Sequence, residues 1–229
     1  MDFTALALWY VALLFSLVCH EAAHAWAALR GGDPTAYHGG QVSLDPRPHI
    51  QREPFGTIFA PLLAFAWGGW MIGWASTPYD PRWAAAYPKR AAWMALAGPA
   101  ANALLMVSAA IVIRIGLLLG FFEIPIDFDI DLLVAGTMGG LTDTLASFVS
   151  IVFALNLLLL IFNLIPVPPL DGAGALPLVL PDALALRVRV AFANPMWSFF
   201  GILVAWITIR QLFVPALVIA LRVLYPELS

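Results

Sequence analysis

The sequence contains one compact group of ionisable residues suited to catalysis, His20-Glu21-Ala22-Ala23-His24. His20 and His24 are four positions apart, so a helix presents both imidazoles on one face to a single metal ion. Glu21 lies about 100° away around the helix, where its carboxylate can reach a water beside that ion. Zinc hydrolases use this arrangement, with two histidine ligands and a glutamate as general base. The alternative is a pair of packed histidines, one of which neutralises Glu21.

A third protein ligand is needed, because a catalytic zinc ion keeps its fourth position for water. The strongest candidate is Asp171, at the end of the segment Asn-Leu-Ile-Pro-Val-Pro-Pro-Leu-Asp-Gly, residues 163–172. The prolines end the preceding helix and impose extended backbone, and Gly172 permits a tight turn. A lone carboxylate at such a helix break calls for a cation. The alternative is a solvated aspartate in a cytoplasmic turn.

The composition places these residues in a membrane protein. Only 11% of the 229 residues are charged, against about 25% in soluble domains, and the mean hydropathy is +0.89. The net charge is -3 and no basic stripe is present, which argues against binding of nucleic acid. The single cysteine, Cys19, excludes an internal disulfide, and we expect it to be a small buried thiol rather than a metal ligand or a nucleophile.

Long apolar segments define the expected architecture. Each meets or exceeds the roughly 20 residues that a spanning helix needs; they cover residues 3–29, 92–120, 145–165 and 196–221. We therefore predict an all-α polytopic membrane protein, a bundle of about four to six transmembrane helices. It would form a single integral-membrane domain, residues 1–229, with a core at 3–175 and a C-terminal helical segment at 190–225.

The charges of the loops orient these segments. Lysine and arginine occur in loops 30–54 and 76–91 and after residue 165, whereas loop 121–144 has five acidic residues and no basic one. The positive-inside rule makes the basic loops cytoplasmic and the acidic loop external. Arg30 marks the cytoplasmic end of the first helix, so His24 lies roughly 9 Å and His20 roughly 15 Å below it. Ionisable residues at such depth indicate function.

A fifth apolar segment, residues 55–75, is interrupted by Pro61, Gly68 and Gly69. If it crossed the membrane, its two basic flanks would lie on opposite sides. A re-entrant hairpin that bends at Gly68-Gly69 keeps both flanks cytoplasmic, provided that protein or a water-filled cavity shields its backbone. An ordinary span is the alternative. Residues 36–50 and 70–80 are turn-rich and partly β-like, and we expect short surface strands there.

Together these motifs resemble those of the site-2 protease family of intramembrane zinc metalloproteases. The family pairs H-E-x-x-H with N-x-x-P-x-P-x-x-D-G, and both patterns are intact here, with G-P-x-x-N at residues 98–102 between them. The resemblance implies that His20, His24 and Asp171 bind zinc and that Glu21 is the catalytic base. Asn163 would hold substrate or stabilise an oxyanion, or instead form an interhelical hydrogen bond. Gly98 and Asn102 are interpreted as helix-packing residues.

The resemblance implies an intramembrane zinc endopeptidase with one zinc ion per chain, acting in regulated intramembrane proteolysis. Its partners would be the lipid bilayer, a transmembrane protein substrate and, in a homo-oligomer, further copies of the chain. It would reside in a bacterial or archaeal cell membrane, with the active site nearer the cytoplasmic face. We expect a minimal branch of the family, because the sequence has no PDZ insertion, no CBS-like module and no helix before the zinc helix.

The rival hypothesis is a membrane protein that binds zinc without proteolysis, most sharply a transporter. Glu21 at the general-base position argues against it, as does the presence of one organised cluster rather than two related halves. Three further residues have open roles. His38 and His49 lie in the basic loop, where we expect His49 to be a solvated surface residue rather than a partner of a metal ligand or an extra metal contact. Arg210 interrupts the last apolar segment, where it forms a buried ion pair or marks a bend or an early end.

Overall fold

Four helices in the computed structural model, which describes residues 2–226, are long and apolar enough to cross a membrane. They are α1 (Phe3–Gly31), α6 (Pro88–Leu118), α7 (Leu141–Leu164) and α10 (Pro195–Leu224). The shorter helices are α2 (Thr35–His38), α3 (Pro46–Arg52), α4 (Ala60–Gly68), α5 (Pro81–Ala86), α8 (Asp171–Ala175) and α9 (Asp182–Phe192). A π-helical turn, Phe55–Phe59, precedes α4, and a 3-10 turn, Leu176–Leu178, follows α8. The predicted class, a helical polytopic membrane protein, is confirmed.

Local sequence signals account for the limits of these helices. The Asp2 carboxylate accepts hydrogen bonds from the amides of Thr4 and Ala5 and so caps the start of α1. Gly32, with φ of 99°, ends α1 in the left-handed conformation that glycine adopts without strain. The helix α7, which precedes Asp171, ends where Pro166 forces Ile165 into extended backbone. As a result, the histidine motif lies in the interior of α1, and Asp171 lies just after the break that ends α7.

The helices α1, α6 and α7 pack against one another and form the core of the bundle. Leu13, Ile113 and Ile151 are each at most 1% exposed at this three-helix contact. By contrast, α10 leaves most of its apolar side chains exposed, as expected for a peripheral helix that faces lipid. The most deeply packed part of the molecule is therefore the part that carries the histidine motif.

Residues 55–80 double back on themselves. The chain rises through the π-helical turn and α4, reverses at Gly69 (φ 73°) and returns in extended conformation over residues 70–80. At the base, the Trp74 amide donates to the Gly56 carbonyl over 3.1 Å. A Cβ at Gly56 would lie 2.3 Å from the Trp74 carbonyl oxygen, so only glycine permits this approach. The reversal predicted at Gly68-Gly69 is present, and α4 is too short to span a bilayer.

The strand prediction for residues 36–50 is wrong. Asp45 caps α3 by accepting from the Arg47 amide, and Pro46 occupies the first helical position, a combination that favours a helix start. Residues 70–80 are extended but pair with no strand in the described part of the chain. The two short strands lie instead in the acidic loop, where β1 (Phe122–Glu123) pairs antiparallel with β2 (Ala135–Gly136).

Candidate metal centre

One turn of α1 brings the imidazoles of His20 and His24 together in the bundle. Both residues are 6% exposed, and their Nε2 atoms lie 3.0 Å apart. Asp171, the first residue of α8, reaches the same point from the other side. Its Oδ2 is 3.1 Å from Nε2 of His20, and its Oδ1 is 3.3 Å from Nε2 of His24. The candidate ligand atoms all lie within 4.8 Å of one another, so the three predicted ligands converge.

The other ring nitrogen of each histidine has a hydrogen-bond acceptor. Nδ1 of His24 lies 2.7 Å from the Met94 carbonyl oxygen, and Nδ1 of His20 lies 2.6 Å from Oδ1 of Asn102. A carbonyl oxygen only accepts, so each Nδ1 carries a proton, and in the neutral imidazole each Nε2 presents a lone pair. Histidines that bind metals have this arrangement, in which the outer hydrogen bond fixes the tautomer.

With both imidazoles neutral, three acceptors face one another without a donor between them. The two Nε2 lone pairs point at each other, and the buried Oδ2 of Asp171 makes no hydrogen bond. Such an arrangement is unfavourable unless a cation lies among the three groups. Two imidazoles and one carboxylate are the donor set of many catalytic zinc sites. The residues present thus fit a zinc ion.

Gly98 of α6 leaves the space that the imidazoles of His20 and His24 occupy. A Cβ at this position would lie 2.3 Å from Nε2 of His24 and 2.5 Å from Nε2 of His20. Gly98 was predicted to be a helix-packing residue, and it does allow α6 to approach α1. The surface against which it packs is formed by the metal-binding faces of the two imidazoles themselves.

Glu21 is held from outside the three-helix core. It is 5% exposed, and its Oε2 accepts a hydrogen bond of 2.7 Å from the Thr77 hydroxyl. The same hydroxyl lies 2.9 Å from the Glu21 carbonyl oxygen. Thr77 belongs to the extended segment 70–80, so the returning arm of the hairpin touches the candidate general base. No motif in the sequence indicated this contact.

Buried polar groups fasten the extended segment beside the site. Nε2 of Gln41 donates to the Ser76 carbonyl over 3.0 Å, and the Asp80 amide donates to the Asp33 carboxylate over 2.7 Å. Burial alone would raise the pKa of Asp33. The hydrogen bonds from Thr35 and from the Asp80 amide outweigh burial and hold that pKa below its usual value. Asp33 is therefore an ionised anchor for this segment.

The side chains of the remaining predicted residues make no hydrogen bond to the cluster within the described residues. Asn163 is half-buried in the last turn of α7, and its side chain makes no hydrogen bond within residues 2–226. The expectation that His49 is solvated is wrong, because it is 1% exposed and hydrogen-bonds the Ser43 carbonyl through Nε2. His38 is exposed. Arg210 is exposed within a continuous α10, so it neither ends nor interrupts that helix.

Three polar residues inside the bundle were missed or undervalued by sequence reasoning. Asn102, interpreted only as a packing residue, contacts His20, and it is joined to Asn156 and Ser16. A usable signal did exist. Asparagine is costly inside an apolar spanning helix unless it finds a partner, and Asn156 lies in the middle of the most apolar helix of the chain.

Comparison with known proteins adds a family match to this geometry. The family model described as Peptidase family M50 matches residues 8–208. The chain is 30% identical over 200 residues to a Bacillus subtilis (strain 168) protein provisionally named zinc metalloprotease YwhC, covering 86% of this chain and 79% of that protein.

Proteins provisionally named zinc metalloprotease Rip2 are also similar. The one from Mycolicibacterium smegmatis is 29% identical over 196 residues, covering 85% of this chain and 64% of that protein. The one from Mycobacterium tuberculosis (strain ATCC 35801 / TMC 107 / Erdman) is 30% identical over 206 residues, covering 85% and 70%. No solved structure matches the chain.

Proposed function

The chain belongs to peptidase family M50 and is a zinc metallopeptidase of the site-2 type, and from this premise we propose that it cleaves a peptide bond within or beside a transmembrane segment of another membrane protein. The observation that carries the proposal is the convergence of His20, His24 and Asp171 among helices long enough to cross a membrane. The proposed role is regulated intramembrane proteolysis in a bacterial or archaeal cell membrane.

We take His20, His24 and Asp171 as the ligands of one zinc ion per chain. When bound, zinc supplies the Lewis acid that activates water and polarises the scissile carbonyl. The protein contributes the direction of each ligand. The hydrogen bonds at Nδ1 turn both Nε2 lone pairs inward, and the proline-rich break before α8 brings the Asp171 carboxylate opposite them.

Glu21 acts as the general base in this proposal. Its carboxylate takes a proton from the attacking water and then passes it to the leaving amine, a transfer typically worth about 10²–10⁴-fold in rate. Thr77 restrains Oε2 and so limits the rotamers that the carboxylate can adopt. Asn163 retains two possible roles, as a neutral donor to the oxyanion or as a residue that holds substrate.

The substrate must be extended when it is cut, because a helix hides its amides in internal hydrogen bonds. The extended segment 70–80 suits such a peptide. Within the described residues its backbone hydrogen bonds are confined to the Trp74 amide, the Ser76 carbonyl and both groups of Asp80, so the other backbone groups are available for strand addition. Thr77 brings this segment to Glu21. A peptide paired along it would therefore lie beside the base.

The proposed orientation places the metal centre nearer the cytoplasm. The basic residues after α1, around α5 and within α9 lie at the end of the bundle where α1 finishes, while the acidic loop joins the opposite ends of α6 and α7. The positive-inside rule then makes the former side cytoplasmic. In this orientation the hairpin 55–75 re-enters from the cytoplasmic side.

The test is Glu21→Gln in the purified full-length protein, with a single-span membrane protein as substrate. We expect zinc content to stay at the wild-type level while cleavage falls at least about 100-fold, because the amide cannot accept the proton. Glu123→Gln, in the exposed acidic loop, is the matched control and should cleave normally. Unchanged cleavage by Glu21→Gln, or zinc flux across vesicles without cleavage, would overturn the proposal in favour of the non-proteolytic rival.

A further inference from the structure

We infer that Ser16 and Asn156 are positioning residues for the metal centre, acting on His20 through Asn102 to hold it in the tautomer that binds a metal. The inference rests on the proposed zinc site. It concerns residues that lie outside every motif named above, and it follows from the direction of the hydrogen bonds in one buried chain that links α1, α6 and α7.

The direction of this chain of hydrogen bonds is set at Ser16, the end farthest from His20. The Ser16 hydroxyl lies 2.7 Å from the Ala12 carbonyl oxygen, which can only accept, so Ser16 donates there. Its oxygen then accepts from Nδ2 of Asn156 over 2.9 Å. The same Nδ2 group also donates to the Val152 carbonyl over 2.8 Å. Two acceptor groups thus fix which end of the Asn156 amide is nitrogen.

The remaining links follow from that orientation. Oδ1 of Asn156 must face Asn102, and it accepts from Nδ2 of Asn102 over 2.9 Å. Oδ1 of Asn102 must then face His20, whose Nδ1 lies 2.6 Å away. Nδ1 of His20 therefore carries the proton, and Nε2 is left free for the metal. Each step depends on the one before it.

Because these hydrogen bonds are buried, their direction decides the tautomer of His20. Ser16, Asn102 and Asn156 are each 0% exposed, among apolar side chains of three spanning helices. At this burial bulk water cannot satisfy a misdirected amide, so a reversed Asn102 would leave buried donors facing each other. His24 has no such dependence, because its Nδ1 is held directly by the Met94 backbone carbonyl. Substitution of the polar side chains in this hydrogen-bonded chain can therefore change the tautomer of His20 but not that of His24.

The decisive variant is Asn156→Leu. It removes the acceptor for Nδ2 of Asn102, so that amide is free to rotate and present its nitrogen to His20. Nδ1 would then have to accept, and the proton would move to Nε2, where it blocks the metal. Outer-shell substitutions of this kind cost about 10–100-fold in metal affinity. Asn156→Asp keeps an oxygen towards Asn102 and should retain most of the affinity.

The experiment measures zinc affinity by chelator competition in the purified full-length protein, together with the visible spectrum after Co²⁺ replaces zinc. We expect Asn156→Leu to bind zinc about 10–100-fold more weakly and to alter the Co²⁺ spectrum. Ser16→Ala should act in the same direction but less, because Val152 still orients Asn156. Ser150→Ala is the control, since Ser150 is equally buried on α7 but bonds Leu133 and Val134 instead.

Several outcomes would overturn the inference. Wild-type zinc affinity in a folded Asn156→Leu protein would do so, as would an equal loss in Ser150→Ala, which would indicate general loosening. Should Asn156→Leu not fold, Ser16→Ala carries the test, and an unchanged affinity and Co²⁺ spectrum there would sink the idea. If His20→Ala leaves wild-type zinc binding intact, the proposed metal site itself is wrong, which is a distinguishable result.

Discussion

The two sides of the candidate metal centre are built in different ways. His20 and His24 stand on the interior of a 29-residue helix, and each has its outer nitrogen hydrogen-bonded. Asp171 follows the proline-rich break after α7, and its buried Oδ2 has no donor. The histidine side is organised by the protein alone, whereas the carboxylate side is complete only with an ion. The comparison separates what the fold provides from what the metal must provide.

The largest predicted effect comes from adding a side-chain atom at Gly98, next to the imidazoles of His20 and His24. Gly98→Ala places a methyl group where a Cβ lies 2.3 Å from Nε2 of His24. We expect zinc affinity and cleavage to fall by at least about 100-fold, beyond the range of outer-shell substitutions, because neither imidazole can move without losing its Nδ1 bond. Zinc content and cleavage rate are the measurements.

Gly116→Ala is the matched control for that change. Gly116 lies on the same helix, and its Cβ would meet the Phe122 ring at 2.1 Å, far along the chain from the histidine contact. It should lower stability without altering zinc affinity. If both variants lose zinc equally, the effect of Gly98→Ala reflects general disruption of α6 rather than intrusion on the histidines.

A smaller effect is predicted for Asp171, where a substitution raises the stability of the metal-free protein instead of lowering it. Asp171→Asn should weaken zinc binding yet stabilise the metal-free protein. The amide nitrogen can donate to an Nε2 lone pair, and removal of an unsatisfied buried acceptor is worth about 1–3 kcal/mol. That corresponds to a rise of several degrees in the Tm of the chelator-treated protein, measured by thermal unfolding. A fall in that Tm would mean that the carboxylate is satisfied without an ion.

The last of these effects concerns Glu21, which lies on the histidine helix but is hydrogen-bonded by Thr77 of the hairpin. Thr77→Val keeps the shape of the side chain and removes the donor to Oε2. A hydrogen bond to a charged group contributes about 1.5–3 kcal/mol, so we expect kcat to fall about tenfold or more with KM unchanged. Thr77→Ser should restore kcat. A loss shared by the serine variant would assign Thr77 to packing instead.

Much of this architecture follows from the sequence. The four long apolar segments fall in the four helices long enough to span, within the four to six predicted, and Gly68-Gly69 predicted the reversal of the hairpin, because only glycine accepts the backbone that such a turn needs. The family and the enzyme class inferred from the two motifs are confirmed. The convergence of His20, His24 and Asp171 was predicted as geometry, and their roles as ligands remain predictions.

Other features depend on tertiary packing that local patterns do not contain. The contact between Asn156 and Asn102 depends on how α6 and α7 are rotated about their axes, which the motif spacing leaves open. Thr77 reaches Glu21 only because the hairpin folds back. The strands expected at 36–50 failed for a local reason, since the helix-start signal at Asp45-Pro46 outweighs the β-like residues around it. His49 is buried by loop packing that its basic surroundings concealed.

The chain from Ser16 to His20 also bears on how the molecule is made. Its links come from α1, α6 and α7, and Asp171 emerges later still. Synthesis proceeds from the N-terminus, so the ribosome delivers the two histidines long before the groups that orient and complete them. On the proposed ligand set, a nascent chain therefore carries an incomplete metal site through most of its translation. On the proposed ligand set, hydrolysis requires α7 and Asp171 to be in place beside the histidine helix.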